Sequence, residues 1–306
     1  MLIIGENIHI ISPEVKDIIA ARDVAGIQRL ALAQVNGGAA MLDLNIGPQK
    51  KQGVEIMEWL VPAVQEVVDV PISFDTTNIE AVRTGLGLAK QKGMVNSTSA
   101  EPERLERMPQ VAAEYGARLI ALMMGSGGIP MTAEERVAVA IESLIPRAME
   151  VGIPMEDLFL DPLAMTVSGC QEYCPPAVEA IRYVKMGMDP APMTTIGLSN
   201  VSNTCVPANR SLLNRVYLVM LMSVGLDSAI ADSLDEALME TIRIVDERDD
   251  SSAAGSLLLT LYDRTAAGEE LEPSDVDMSE PEQVDIWKTV QVLMNKIIYT
   301  DSYLRD

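Results

Sequence analysis

The sequence predicts a closed (β/α)8 barrel, and three observations lead there. Eight short, apolar, β-prone runs alternate with longer segments whose apolar residues recur at helical spacing, at intervals of roughly 30 residues. The short runs are continuously apolar rather than alternating, as parallel strands are when both faces are covered. No G-x-G-x-x-G opens the first helix, which removes the usual mark of the competing open, doubly wound sheet.

In chain order the expected strands are Leu2–Gly5, Ala40–Leu44, Pro71–Phe74, Gly93–Val95, Leu119–Met123, Leu158–Leu160, Thr194–Leu198 and Ser228–Ala231. The expected helices are Val15–Val35, Val54–Val67, Asn78–Lys90, Pro102–Tyr115, Ala133–Glu150, Pro175–Val184, Leu212–Val224 and Leu234–Val245. Glycines stand where helices should stop, at Gly37-Gly38, Gly93, Gly116, Gly152 and Gly225. The rhythm breaks at 246–285, a Ser-, Gly- and acid-rich stretch containing Pro273 and Pro281, which reads as an acidic C-terminal excursion. Helical spacing returns over Ile286–Ile298, so residues 1–306 read as one barrel domain.

Composition narrows the function. The chain has 306 residues, 48% of them hydrophobic, which is enough for a large core, and 19 Met against 2 Phe and 2 Trp make that core aliphatic and thioether-rich. The net charge of −22 repels phosphate backbones and anionic headgroups, so neither nucleic acid nor a membrane surface is the expected partner. Three cysteines, Cys170, Cys174 and Cys205, make no disulfide framework and suit a reducing compartment. No basic leader precedes Leu2 and no apolar run approaches the ~20 residues of a spanning helix, so a cytoplasmic protein is expected.

In such a barrel the chemistry lies at the carboxyl ends of the strands. Those ends read Glu6-Asn7, Asp43 and Asn45, Asp75, Asn96, Met124-Gly125, Asp161, Ser199-Asn200 and Asp232. None is His, Cys, Lys or Arg. The single histidine, His9, leaves a Ser-His-Asp or Cys-His mechanism poorly furnished and a zinc hydrolase short of ligands, and no metal site is expected. A Schiff-base aldolase lacks its lysine. Carboxylates and amides instead suit a flat, neutral, nitrogen-rich ring: a carboxylate matches the paired N–H donors of a 2-amino-4-oxopyrimidine, and an amide matches a ring nitrogen or carbonyl. Helix N-capping is the alternative role for any one of them, foremost for Asn78 and Asp235.

Met41-Leu42-Asp43-Leu44-Asn45-Ile46-Gly47-Pro48, Phe74-Asp75-Thr76-Thr77-Asn78, Asn96-Ser97-Thr98, Leu160-Asp161-Pro162-Leu163, Gly197-Leu198-Ser199-Asn200-Val201-Ser202 and Ala231-Asp232 together resemble the pterin-binding barrel family. The resemblance is to methyltetrahydrofolate:corrinoid protein methyltransferases and covers nearly the whole chain, including a terminal Ile298-Tyr299-Thr300-Asp301-Ser302-Tyr303 like that subfamily's last helix. It implies that Asp75, Asn96 and Asp161 hold the pterin. It places Asn200 beside N5, Asn203 on the same rim, Gly197 and Ser199 at the floor, and Ile230 near the transferred methyl.

The implied reaction moves a methyl group between N5 of tetrahydrofolate and the cobalt of a corrinoid, in either direction, in carbon-fixation or demethylase systems. Asn200, supported by Asp75 and ordered water, would strengthen a hydrogen bond to N5 as the C–N bond breaks. His9 sits in Asn7-Ile8-His9-Ile10 rather than in a D-x-H-x-x-G cobalamin motif, so the corrinoid is expected on a separate partner protein, with this chain a homodimer. Two alternatives stand beside this. A dihydropteroate synthase would carry basic residues where this chain has Ser199-Asn200 and Asp232. A non-catalytic folate-binding subunit would use the acidic segment as its functional surface.

Overall fold

Strands β1 (Leu2–His9), β2 (Met41–Asn45), β3 (Ile72–Asp75), β4 (Met94–Ser99), β5 (Arg118–Leu122), β6 (Leu158–Asp161), β7 (Met193–Thr194) and β8 (Ser228–Ala231) pair in parallel in the order β7-β6-β5-β4-β3-β2-β1-β8, in a computed structural model that describes residues 1–305. The remaining seam, β7 to β8, is carried by a bridge between Gly197 and Ile230, where the Ile230 amide donates to the Ile196 carbonyl at 2.9 Å. Below it, Asp227 Oδ2 accepts from the Thr194 amide at 2.6 Å and from the Thr194 hydroxyl at 2.9 Å. The fold is the (β/α)8 barrel.

The helices are α1 (Pro13–Ala21), α2 (Val24–Asn36), α3 (Gly53–Gln65), α4 (Ile79–Leu88), α5 (Pro102–Glu114), α6 (Ala133–Val139), α7 (Ile145–Glu150), the short α8 (Val167–Cys170), α9 (Cys174–Gly187), α10 (Pro207–Ser223), α11 (Glu236–Glu247), α12 (Ala253–Ala266) and α13 (Pro281–Leu293). The expected helix Val15–Val35 is two. Arg22 turns left-handed at φ 52°, and Asp23 caps α2 by accepting from the Gly26 amide at 3.0 Å. Helix Ala133–Glu150 runs through a π-turn at Ala140–Leu144, just before Pro146, whose missing N–H cannot continue the ladder. Asn78 and Asp235 are caps, of α4 and α11.

Side chains alternate across each strand, so each faces either the barrel axis or the helices. Ile4, Met41, Met94, Ile120 and Phe159 fill the axis, with Leu2, Leu122, Met193 and Ile230 packed against them. One residue pair further along the strands the axis turns polar, and that layer forms the mouth. No helix among the described residues is long and apolar enough to cross a membrane.

The C-terminal third differs most from expectation. The segment 246–285 is acidic, but it is not an extended excursion: α12 lies within it, with Leu257, Leu258 and Leu261 each 1% exposed. The reason lies in α10, which buries Leu213, Val216, Tyr217, Leu218, Val219 and Leu221 around its whole circumference. A helix apolar on every side needs a second layer, and α12 and α13 supply it. Helix α13 stops at Leu293, earlier than the expected Ile298, because Asn295 adopts φ 56°. The ending is a set of turns rather than a helix. Buried Gln171 ties it down, accepting from the Tyr299 amide at 2.7 Å and donating to the Ile297 carbonyl at 2.7 Å.

Candidate active site

Strand register sets the first row of the mouth. Asn45 on β2 lies opposite Asp75 on β3, and Asp75 opposite Asn96 on β4. Asp43, one turn of the pleat deeper, accepts from the Ser73 hydroxyl at 2.6 Å and from the Asn96 side-chain amide at 3.1 Å. With its Nδ2 so engaged, Asn96 leaves its Oδ1 as an acceptor. The Asn45 amide donates to Asp75 in turn. Asp75 and Asn96 are therefore brought together, each by a strand neighbour.

Asp161 ends β6 and is 5% exposed. Its Oδ1 accepts from the Leu163 amide at 2.7 Å, and the Gly197 amide reaches it from the next unit. The expected strand Thr194–Leu198 stops at Thr194. Leu198–Ser202 is a tight 3-10 turn that lifts Asn200 to the exposed rim. A Cβ on Gly197 would stand 3.0 Å from Asn200 Nδ2, so the bare glycine makes room for that amide. The Asn200 side chain makes no hydrogen bond to another described residue and is free for a ligand.

Ser199 points inward and donates to Glu6 Oε1 at 2.5 Å. Asn203 is exposed, and only its backbone is engaged, the carbonyl accepting from Thr166 at 2.5 Å; its side chain is not joined to the cluster. Ile230 packs with the apolar axis layer, just below the polar ring.

Several strand-end residues to which the sequence assigned no role also line the mouth. Strand β1 slips register between Gly5 and Ile8, and the Asn7 amide is satisfied by Gln34 Oε1 at 2.9 Å instead of by the ladder. Such a bulge re-aims side chains. Glu6 thereby meets Ser199, and the Asn7 side chain donates to Asp232 Oδ1 at 2.9 Å. Asp43 and Asn45 complete the ring. Their signal was present, since Met41, Asp43 and Asn45 share one strand face. Arg136, fully buried, donates to the carbonyls of Pro130 (3.0 Å) and Pro162 (3.0 Å), pinning the loops after β5 and β6. His9 Nδ1 accepts from the Ile11 amide at 3.1 Å, a loop hydrogen bond.

The mouth concentrates acids that cannot all ionise. Burial pushes Glu6 up to about 7, and the nearby Asp232 adds to the effect against the Ser199 bond and the Arg210 charge. Burial pushes Asp43 up to about 6, although Ser73 and Asn96 donate to it. Asp75 is held well above the carboxylate range by burial and by the Asp43 charge, with Arg104 opposing. Burial pushes Asp161 to about 7 against its two backbone donors. Near neutrality the ring therefore shares protons, and a ligand that brings N–H donors relieves the desolvated carboxylates.

The site defines a class: a parallel (β/α)8 barrel whose mouth, at the carboxyl ends of the strands, is lined by carboxylates and amides. The chain belongs to the pterin binding enzyme family, whose model matches residues 14–232. It is 30% identical over 251 residues to a methylcorrinoid:tetrahydrofolate methyltransferase of Eubacterium limosum, covering 80% of this chain and 90% of that protein. It is also 30% identical over 278 residues to a methionine synthase of Mycobacterium leprae, covering 88% of this chain but only 22% of that longer protein. Among solved structures it resembles a dihydropteroate synthase from Coxiella burnetii in complex with pteroic acid, with TM-score 0.60 and 17% identity over 82% of this chain and 94% of that one. It likewise resembles the Yersinia pestis dihydropteroate synthase, with TM-score 0.57 and 16% identity over 81% of this chain and 93% of that one. Those two likenesses concern the fold.

Proposed function

We propose that this protein transfers a methyl group between N5 of tetrahydrofolate and the cobalt of a corrinoid carried by a separate protein. The observation that carries the reading is the free Asn200 amide on the rim, above a ring in which Asp75, Asn96 and Asp161 converge. Asp161 pairs with the N3–H and 2-amino donors of the pterin, Asn96 Oδ1 accepts from a second ring N–H, and Asp75 faces the reduced ring. Ser199 and Gly197 shape the floor, and Ile230 gives the methyl an apolar neighbour. Asn203 serves the rim through its backbone.

Methyl transfer from N5 forms a C–Co bond as the C–N bond breaks, and the electron pair left on nitrogen takes a proton. The Asn200 amide donates to N5 as that charge develops, an interaction that tightens only toward the transition state. Asp75, whose protonated form is favoured by burial and by the Asp43 charge, is the group placed to give N5 that proton. In the reverse direction Asp75 accepts the proton that N5 loses, while the Asn200 amide keeps its hydrogen bond to N5. The protein meets its corrinoid partner at the barrel mouth, and the reading places it in the cytoplasm as a homodimer.

The dihydropteroate synthase reading is weaker at the residues that matter. After β7 and β8 stand Ser199, Asn200 and Asp232, which are engaged with Glu6, free, and engaged with Asn7 respectively, and none offers a cation to a pyrophosphate. The test is incubation with 5-methyltetrahydrofolate and free cob(I)alamin, followed optically for methylcobalamin. Formation of product is expected, and a pure folate binder would yield none. Asn200→Ala should lower turnover by about 100-fold; turnover within about threefold of the parent, under ~1 kcal/mol, would remove Asn200 from the mechanism.

A further inference from the structure

Arg136 on α6 is 0% exposed, yet it makes no ion pair among the described residues. A guanidinium stays charged at any working pH, and burying that charge without a carboxylate beside it is costly. The fold solvates it with backbone carbonyls instead. Nε donates to Pro130 at 3.0 Å, Nη1 to Pro162 at 3.0 Å and to Leu163 at 3.5 Å, and Nη2 to Tyr173 at 3.3 Å. The planar fork thus joins the loop after β5, the loop after β6 and the residue before α9. Its own root is fixed, because Thr132 and Glu135 cap the start of α6 reciprocally.

Two of those carbonyls belong to the turn that sets Asp161. Asp161 Oδ1 accepts from the Leu163 amide at 2.7 Å, and Leu163 stands at φ 69°, a left-handed conformation that a bulky residue avoids. With the Pro162 and Leu163 carbonyls both held by Nη1, the turn keeps that shape and Asp161 keeps its donor. The carbonyls solvate the guanidinium without cancelling its charge, and that charge acts on Asp161. Tyr173 and Cys174 from α9 and its cap, and Tyr217 from α10, also face Arg136, but phenols and a thiol are uncharged near neutrality. Asp161 is the carboxylate that the buried cation meets.

We infer that Arg136 is a positioning residue for folate binding: it holds the 161–163 turn in shape and supplies the buried positive charge near Asp161, so that the N–H donors of the pterin meet a carboxylate. The inference rests on the pterin reading of Asp161. A paired N–H edge needs two acceptor oxygens side by side, which only the ionised carboxyl offers. Burial opposes that ionised form, and Arg136 works against burial. Enclosed between α6, the two loops and the start of α9, Arg136 touches neither folate nor the reacting atoms; it acts through Asp161.

Calorimetry would follow 5-methyltetrahydrofolate binding from about pH 5.5 to about pH 8.5 on the parent, Arg136→Met and Arg136→Lys. In the parent, affinity should rise with pH as Asp161 ionises. Arg136→Met removes the charge, so the midpoint of that rise should move up by about one pH unit. Glu6, Asp43 and Asp75 titrate in both proteins and drop out of the comparison. Arg136→Lys keeps the charge but cannot span three segments, so it should weaken binding about tenfold at every pH and leave the midpoint in place. In an Asp161→Asn background the same Lys substitution should change affinity by less than about twofold, because the group it acts through is gone. That cycle decides alone should Arg136→Met not fold. An affinity loss in Arg136→Met that is equal at every pH would overturn the inference, as would a Lys effect undiminished in the Asp161→Asn background. If the parent binds no folate, the pterin reading itself fails, and this inference falls with it.

Discussion

At the barrel mouth Asp161 is pushed up to about 7 by burial; in the C-terminal layer Asp249 is pulled down to about 2 by hydrogen bonds from Ser251 and Arg243. The contrast extends to their neighbours. Glu6, Asp43 and Asp75 rise with Asp161, whereas Glu240, Asp263 and Asp275 fall, each beside an arginine. Arg243 reaches Glu240, Glu247 and Asp249, Arg248 reaches Asp263, and Arg264 reaches Glu269 and Asp275. One region neutralises its own charge in water. The other keeps acids out of water with too few counter-charges, so a bound heterocycle has something to satisfy. An acidic composition is thus two different things in one chain: a solvated, self-paired surface and a desolvated site.

That contrast can be broken experimentally. Leu258→Ala in α12 should cost about 3 kcal/mol in urea unfolding, because it empties packed space against α10, while turnover per folded molecule is unchanged. A comparable loss of turnover would show the C-terminal layer to be part of the site.

Asp161→Asn should do the reverse, weakening folate binding while stabilising the ligand-free protein by about 2 kcal/mol at pH 8. The sign follows from the raised value. In the fold Asp161 prefers its protonated form, so its penalty is absent below the ordinary carboxyl range, grows as pH rises, and is complete above about 7. Melting curves at pH 8 and pH 5 should therefore show a larger gain at pH 8, and equal gains would mean Asp161 ionises freely. The smallest effect belongs to Arg243→Ala, whose exposed ion pairs should shift the melting temperature by under about 2 °C and lose even that at high salt.

The barrel was readable because its evidence is local. Most strands open on an apolar run, each helix has its own periodicity, and Asp75 and Asp161 end their strands where a parallel barrel places its chemistry; Asn96, expected just past a strand ending at Val95, lies inside β4, which runs on to Ser99. Asn78 and Asp235 were readable as caps for the same reason: a cap bonds residues two and three positions away. What escaped depends on distant partners. The Glu6–Ser199 bond spans 193 positions and the Asn7–Asp232 bond 225, and both exist because the barrel closes β1 onto β8. Helix α12 was read as part of an excursion because acid-rich segments flank it on both sides, although its cause lies some forty residues earlier in the all-round apolar α10.

Periodicity and the residues near the strand ends were enough to set the architecture and the kind of side chain its mouth presents, since both are written within a few residues of chain. Closure of the barrel decided which of those ends share a proton, which side chain is left free on the rim and which cations stand beside it. Burial and charge at a point in space are sums over every neighbour, and most of those neighbours arrive from elsewhere in the chain.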